Sequence, residues 1–229
     1  MTEFSLTSDP PADADRRGPP SSVYARMRED IIEGRIPGES RLKVRDLARL
    51  YDVSTNPVRE ALQQLRGEGF VVLSPNRGAR VRSIDEVFLR DTIEIELLIE
   101  PFLTKWFADV ATPADIAALS LIQDEIEANG FSDLARNSQL DTRFHGLIYE
   151  RHPNKRAFDL WWNHREILSA VVCRFPIGIS WRAAVIDEHH QVIACLKAHD
   201  AAGVEAAMVR HVSGSGQHIM EQMRVYRAR

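Results

Sequence analysis

Cysteine is scarce in this chain: Cys173 and Cys195 are the only two in 229 residues. Both lie in apolar helical contexts, so buried thiols are expected rather than a disulfide. Long hydrophobic runs are missing too. No apolar stretch approaches the roughly 20 residues that a membrane helix needs. The opening segment, MTEFSLTSDPPADADRRGPP, has no apolar core behind a basic start, so no secretory signal is expected there. Its Pro, Asp and Ala content predicts a disordered tail over residues 1–20. These absences together predict a cytoplasmic protein. After residue 83 no convincing strand alternation occurs, which argues against a sheet in the larger part of the chain.

What is present is ordinary for a globular protein: 44% hydrophobic and 27% charged residues, on a length that suits two modest domains. Charge is unevenly spread. The net charge is −4, yet residues 21–82 hold 12 Lys and Arg against 8 acids. Residues 83–229 hold 15 against 21. A basic module joined to an acidic one suits a nucleic-acid reader tethered to a separate sensor or dimerisation body.

Leu42–Val81 carries the reader. Leu42, Leu47, Ala48 and Leu50 give one apolar helical face, and Tyr51–Ser54 break the pattern. Ser54 is placed to cap a second helix, with Pro57 in its first turn, where a missing N–H costs little. Val58, Ala61, Leu62 and Leu65 form its inner stripe. Ser54, Thr55, Asn56 and Arg59 fall at its N-terminal end near the opposite face, where short polar and cationic groups suit phosphate and base-edge contacts. Gly67 and Gly69 close the helix. Phe70–Leu73 and Ala79–Val81 read as two short strands around a tip carrying Arg77 and the permissive Gly78, a shape that can enter a minor groove. Helix, turn, helix and hairpin in this order predict a winged helix-turn-helix domain over residues 21–82, opened by a helix through Val23–Glu33.

The rest, residues 83–229, predicts an antiparallel bundle of about six helices, making the protein mainly α. Ser83–Glu86 has capping-box spacing and opens a helix to about Val110. Thr112 caps the next, to about Asn129. Further helices are expected over about Ser132–Arg151, through Trp161 to about Arg174, from Ser180 to about His199, and from Gly203 towards Tyr226. Pro176-Ile177-Gly178 is the expected break. Gly214 and Gly216 inside the last helix suggest a kink or a close backbone approach.

A second constellation lies in the bundle. Asp141 and His145 are four residues apart on one helix, His189 is on the fifth bundle helix and His211 on the sixth. Three imidazoles and a carboxylate suit Zn²⁺, Ni²⁺ or a similar ion, with open positions for a ligand oxygen. His190 follows His189 directly and is the alternative ligand. Arg143, Arg165 and Arg174 are candidates to pair with a carboxylate ligand, Arg165 foremost because its helix should line the interior.

Two stretches resemble known families. Arg45-Asp46-Leu47-Ala48, Val53-Ser54, Pro57-Val58-Arg59-Glu60-Ala61-Leu62, Leu65, Gly69 and Asn76-Arg77-Gly78 resemble the GntR-type transcriptional regulators over about residues 21–82. Asp141-x-x-Phe144-His145, Glu188-His189, Ala194, Asp200 and His211 resemble the helical effector domain called FCD, found in the FadR-like branch, over about residues 85–222. Six rather than seven bundle helices resembles its VanR-type subgroup. The resemblance implies that Arg45, Ser54, Thr55, Asn56, Arg59, Arg77 and Gly78 face DNA. It also implies that Asp141, His145, His189 and His211 hold a metal beside a small carboxylate. The Glu188-His189 pair and the interval to His211 favour His189 over His190.

Two departures from the family pattern stand out. Thr55 replaces the Arg that usually follows the Ser, which predicts an unusual operator. Glu96 stands where the first bundle helix often carries an Arg, four residues before Glu100. The expected function is a homodimeric repressor on a palindromic operator, modulated by an organic acid, with no membrane partner. The rival is a metal-dependent hydrolase using Glu188 as base at the Asp/His site.

Overall fold

The computed structural model describes residues 22–74, 78–172 and 179–227, and the chain divides into two compact units at Ile84/Asp85. The expected tail, the wing tip with Arg77, and Cys173, Arg174 and Pro176–Gly178 lie outside the described residues.

The N-terminal unit holds α1 (Val23–Ile32), α2 (Val44–Leu50), α3 (Thr55–Gly67), β1 (Val71–Ser74) and β2 (Gly78–Val81). Ser22 caps α1 by accepting from the Ala25 N–H at 3.2 Å. The turn from α2 to α3 relies on Asp52 in the left-handed region, with φ 53°. Val58, Ala61, Leu62 and Leu65 are buried, so the inner stripe of α3 lies where its periodicity puts it. Met27 and Ile31 of α1, with Phe70 and Val71, complete this core.

Two details differ from the sequence reading. Leu50 is exposed, and Tyr51 takes the inward place instead. The helix ends there, so the ring can fold back and donate its hydroxyl to Asp30 Oδ2 at 2.5 Å. Ser54 does precede α3 as the cap residue, but its side chain makes no capping hydrogen bond. The wing is also wider than two strands. Arg41 bridges Arg80, and the Leu42 N–H donates to the Ala79 carbonyl at 2.8 Å. Residues 39–42 therefore run alongside β2, although Glu39-Ser40-Arg41-Leu42 shows no strand alternation.

Among the described residues the second unit is all helix: α4 (Glu86–Val110), α5 (Pro113–Asn129), α6 (Leu134–Tyr149), α7 (Lys155–Val172), α8 (Ile179–Lys197) and α9 (Ala201–Arg227). Asp85, not Ser83, caps α4, because its carboxylate reaches the Phe88 N–H at 2.9 Å. Thr112 and Asp115 form a full capping box on α5. Phe107, Phe144, Tyr149, Trp161 and Met208 fill the core between the helices. α4 packs along α9, and α8 packs beside α9. Gly216 permits that closeness: a Cβ there would lie 2.7 Å from Ile93 Cγ2 of α4. Cys195 is a half-buried free thiol rather than a fully buried one. No helix among the described residues is long and apolar enough to cross a membrane.

Candidate nucleic-acid interface and metal centre

In the N-terminal unit, burial of one face of α3 forces the other outward. Ser54, Thr55, Asn56 and Arg59 are exposed at its N-terminal end, and Arg45 is exposed on α2. Among the described residues, none of these side chains makes a hydrogen bond or ion pair. Uncommitted donors beside the free N–H groups of a helix start are chemically suited to phosphate oxygens and base edges. Gly78 is exposed at the start of β2 with φ 73°, a conformation that side-chain-bearing residues rarely adopt.

In the bundle, Asp141, His145, His189 and His211 come together. One ligand atom from each lies within 4.8 Å of all the others. Asp141 Oδ1 is 3.5 Å from His189 Nε2 and 4.0 Å from His145 Nε2. The four-residue spacing on α6 puts Asp141, His145 and Tyr149 on one face. His190, by contrast, is exposed, paired with Glu127 at 2.7 Å and outside the cluster.

The rings are held in one orientation by groups behind them. Gln123 donates its amide N–H to Glu127 at 2.9 Å, which turns its carbonyl oxygen to His189 Nδ1 at 2.8 Å. Glu188 Oε2 stands 3.1 Å from His211 Nδ1. Tyr149 donates to Glu100 Oε2 at 2.7 Å, leaving its oxygen to accept from His145 Nδ1 at 3.1 Å. Each acceptor calls for a proton on Nδ1 and leaves an Nε2 lone pair for the centre. Phe144 stacks on His189 with centroids 4.2 Å apart and fixes the ring plane.

Electrostatics point the same way. Burial pushes His189 down to about 3 and His145 well below its ordinary value, so both rings stay neutral at pH 7. Burial would raise the Asp141 carboxyl, but Arg165 and then the three imidazoles hold it well below the usual carboxylate range. His189 Nε2 is buried without a hydrogen-bond partner among the described residues. A buried, unpaired lone pair facing an ionised carboxylate and two more imidazoles fits a divalent cation.

Beside the cluster lies a cavity of about 90 Å³. Arg165 lines it, but its guanidinium is engaged: one nitrogen donates to Asp141 and Nε donates to Thr142 Oγ1 at 2.9 Å. Arg143 points elsewhere and pairs with Glu125 at 3.5 Å on the surface. Glu96 and Glu100 are both buried on the α4 wall, where burial pushes each up to about 8.

Sequence reasoning brought the four cluster residues and Arg165 to one place. It missed Gln123, Tyr149 and His164, and it did not anticipate Glu188 as the partner of His211, giving it a role as base only in the rival hydrolase reading. Only Tyr149 left a usable signal, the continued four-residue spacing after Asp141 and His145. Gln123 and His164 reach the site from other helices, and no local pattern marks them.

Comparison with known proteins gives a consistent picture. Residues 91–214 match the family described as the FCD domain, and residues 19–81 match the bacterial regulatory proteins of the gntR family. The HTH-type transcriptional repressor RspR of Escherichia coli (strain K12) is 26% identical over 209 residues, covering 90% of this chain and 89% of that protein. The HTH-type transcriptional repressor GlaR of the same strain is 26% identical over 208 residues, covering 82% and 90%. Among solved structures, E. coli McbR/YncC shares the fold with a TM-score of 0.65 at 19% identity, covering 89% of this chain and 96% of that one.

Proposed function

Because the chain belongs to the gntR family of regulators carrying an FCD domain, and is a DNA-binding transcriptional regulator rather than an enzyme, we propose that it is a repressor released from its operator by a small organic acid. The observation that carries the sensing half is the Asp141–His145–His189–His211 cluster opening beside a cavity that Arg165 lines. Zinc or nickel would be held by the carboxylate and the three Nε2 atoms, and a bound metal supplies Lewis-acid positions for a carboxylate oxygen. Arg165 positions Asp141 and lends positive charge to the same end of the cavity. Repression itself is supported by RspR and GlaR, both described as repressors.

Arg45, Ser54, Thr55, Asn56, Arg59, Arg77 and Gly78 would contact the operator, one unit per half-site of a palindrome. A second copy of the chain is supported by α4, where Leu98 is 77% exposed and Phe102 51%, one turn apart. Effector binding must favour one arrangement of the dimer over another by about 1–3 kcal/mol to release DNA. A mobility-shift titration of the zinc-loaded protein with a panel of organic acids tests the reading. An acid should weaken the shift, and no DNA binding under any condition would overturn it.

A further inference from the structure

The strip at residues 39–42 adds a third row to the wing sheet, and its outer face carries charges that the DNA-facing set above does not include. Leu42, Val71 and Val81 are buried on the inner face. By the two-residue period of a strand, Arg41, Val72 and Arg80 point the other way. Arg41 and Arg80 are bridge partners. The bonds beside them run from the Leu42 N–H to the Ala79 carbonyl at 2.8 Å and from the Val81 N–H to the Ser40 carbonyl at 3.0 Å. This is the pattern of a non-hydrogen-bonded antiparallel pair, in which facing side chains stand closest. Two guanidinium side chains are therefore rooted opposite each other, Arg41 exposed and Arg80 half-buried.

Like charges directly opposite each other weaken a sheet. No carboxylate among the described residues offsets this pair. Arg41 makes no hydrogen bond or ion pair there, and Arg80 gives one nitrogen to the Glu39 backbone carbonyl at 2.5 Å. Glu39 is the one acid of the strip, and its carboxylate pairs with neither guanidinium. The position of the pair is informative too. Gly78 lies two residues before Arg80, on the same face of β2, and Arg45 stands exposed in the first turn of α2, four residues beyond Arg41. Both belong to the DNA-facing set. Lys43, between Arg41 and Arg45, is exposed as well and lies 4.0 Å from Asp46. The strip thus joins the wing to the start of α2 through a cationic row. A repelling pair of arginines between two DNA-facing points fits an anion that both can hold, and a duplex presents such anions along its backbone.

Resting on the DNA-facing set proposed above, we infer that Arg41 and Arg80 clamp one phosphate of the operator backbone. The strip is then a sequence-blind part of the DNA surface. It fixes how firmly and in which register the unit sits, while α3 reads the bases.

Fluorescence anisotropy of the full chain, over about 50 to about 200 mM salt, tests the inference. The probes are the half-site that selection from random DNA returns for the parent, and a random-sequence duplex of the same length. Arg41→Gln should bind both about tenfold more weakly, leaving their ratio unchanged. Its log–log salt slope should be shallower by about 0.9 for each bound copy. Adding Arg80→Gln should remove little further slope, because the two arginines share one phosphate. The denaturation midpoint of Arg41→Gln should hold or rise, since a like-charge contact is relieved; a merely structural role would lower it. Arg143→Gln, which takes the same charge from the bundle, should leave affinity and slope as in the parent.

An unchanged slope in Arg41→Gln overturns the inference. So does a different half-site recovered by selection with that variant, which would make Arg41 a base reader. Should the double variant fail to fold, Arg41→Gln alone decides. Arg59→Ala separates two kinds of failure. If it weakens binding and Arg41→Gln does not, this inference falls alone; if neither does, the DNA-facing set is misplaced and the inference falls with it.

Discussion

The two units hold their polar groups in opposite circumstances. Arg59 at the start of α3 is exposed and makes no bond among the described residues, whereas Arg165 in the bundle is half-buried and bonded to Asp141 and Thr142. Thr55 and Asn56 are likewise uncommitted, while His145 and His189 are buried and each ring has an orienting partner. A DNA face left in water loses side-chain freedom only when the duplex arrives. A buried cluster has met its desolvation cost during folding and is ready to bind without rearrangement. One unit is thus built for a large charged surface, and the other for a small ligand in a fixed geometry.

The sharpest way to break this contrast is to remove a cluster imidazole. His189→Ala should lower zinc affinity by more than about a hundredfold, beyond the roughly 10–100-fold expected for an orienting residue such as Gln123→Leu. A competition titration against a chromophoric chelator measures both. Operator binding without effector should stay as in the parent. If it fell in step with zinc affinity, the two units would not be functionally separable.

The reciprocal change should come next in size. Arg59→Ala is expected to weaken operator binding by about 1–3 kcal/mol and leave zinc affinity unchanged. Thr55→Arg should alter the half-site recovered by selection from random DNA, because Arg reads guanine through its bidentate edge. Recovery of the same guanine-containing half-site by the parent and Thr55→Arg would remove Thr55 from the recognition set.

The contrast also explains what could be read from the chain alone. α3 is a local object: its stripe at Val58, Ala61, Leu62 and Leu65 fixes which face is left for Ser54, Thr55, Asn56 and Arg59. The cluster could be anticipated from Asp141 and His145, which share a helix face, with His189 and His211 on two later helices, and the family pattern favoured His189 over His190. The support behind them could not. Gln123 meets His189 across 66 positions, and His164 meets Glu96 across 68. Such pairings depend on how α5 packs on α8 and α7 on α4, which helical periodicity does not specify. The strip at residues 39–42 was missed for a related reason, since its bonds come from β2 rather than from its own pattern.

Acidity separates the units further. Burial pushes Glu96 up to about 8, whereas an unfolded chain would ionise it near 4.5. The native bundle therefore holds a proton that the unfolded chain has lost, and bundle stability falls as pH rises from about 4.5 to about 8. His189 works in the other direction, but only between about 3 and its ordinary value of 6.5. From pH 6.5 to 8 the carboxyl effect stands alone. The metal-free bundle should lose roughly 2–4 °C in melting midpoint over that interval, and Glu96→Gln should reduce the loss without abolishing it, because burial pushes Glu100 up to about 8 as well. The N-terminal unit gives no reason to follow; a parallel fall in its own transition would count against Glu96 as the cause.

The smallest effects come from two glycines, one in each unit. Gly216 lies inside α9, where an added Cβ would sit 2.7 Å from Ile93 Cγ2 and 2.9 Å from Ile93 Cδ1. Ala would gain about 1 kcal/mol of helix propensity there but overpack a buried, β-branched neighbour at about 1–3 kcal/mol. Ile93 has little room to turn, being 8% exposed in the bundle core, so the clash should win by about 1 kcal/mol. Gly67 ends α3 with nothing within 4 Å of its added Cβ. Gly67→Ala should therefore stabilise the N-terminal unit by about 0.5–1 kcal/mol, through propensity alone. Chemical denaturation of the two variants gives opposite signs if helix packing limits the bundle and backbone entropy limits the DNA-binding unit. Equal signs would mean that Ile93 can swing aside, and that α4 and α9 are less tightly locked than their contact at Gly216 implies.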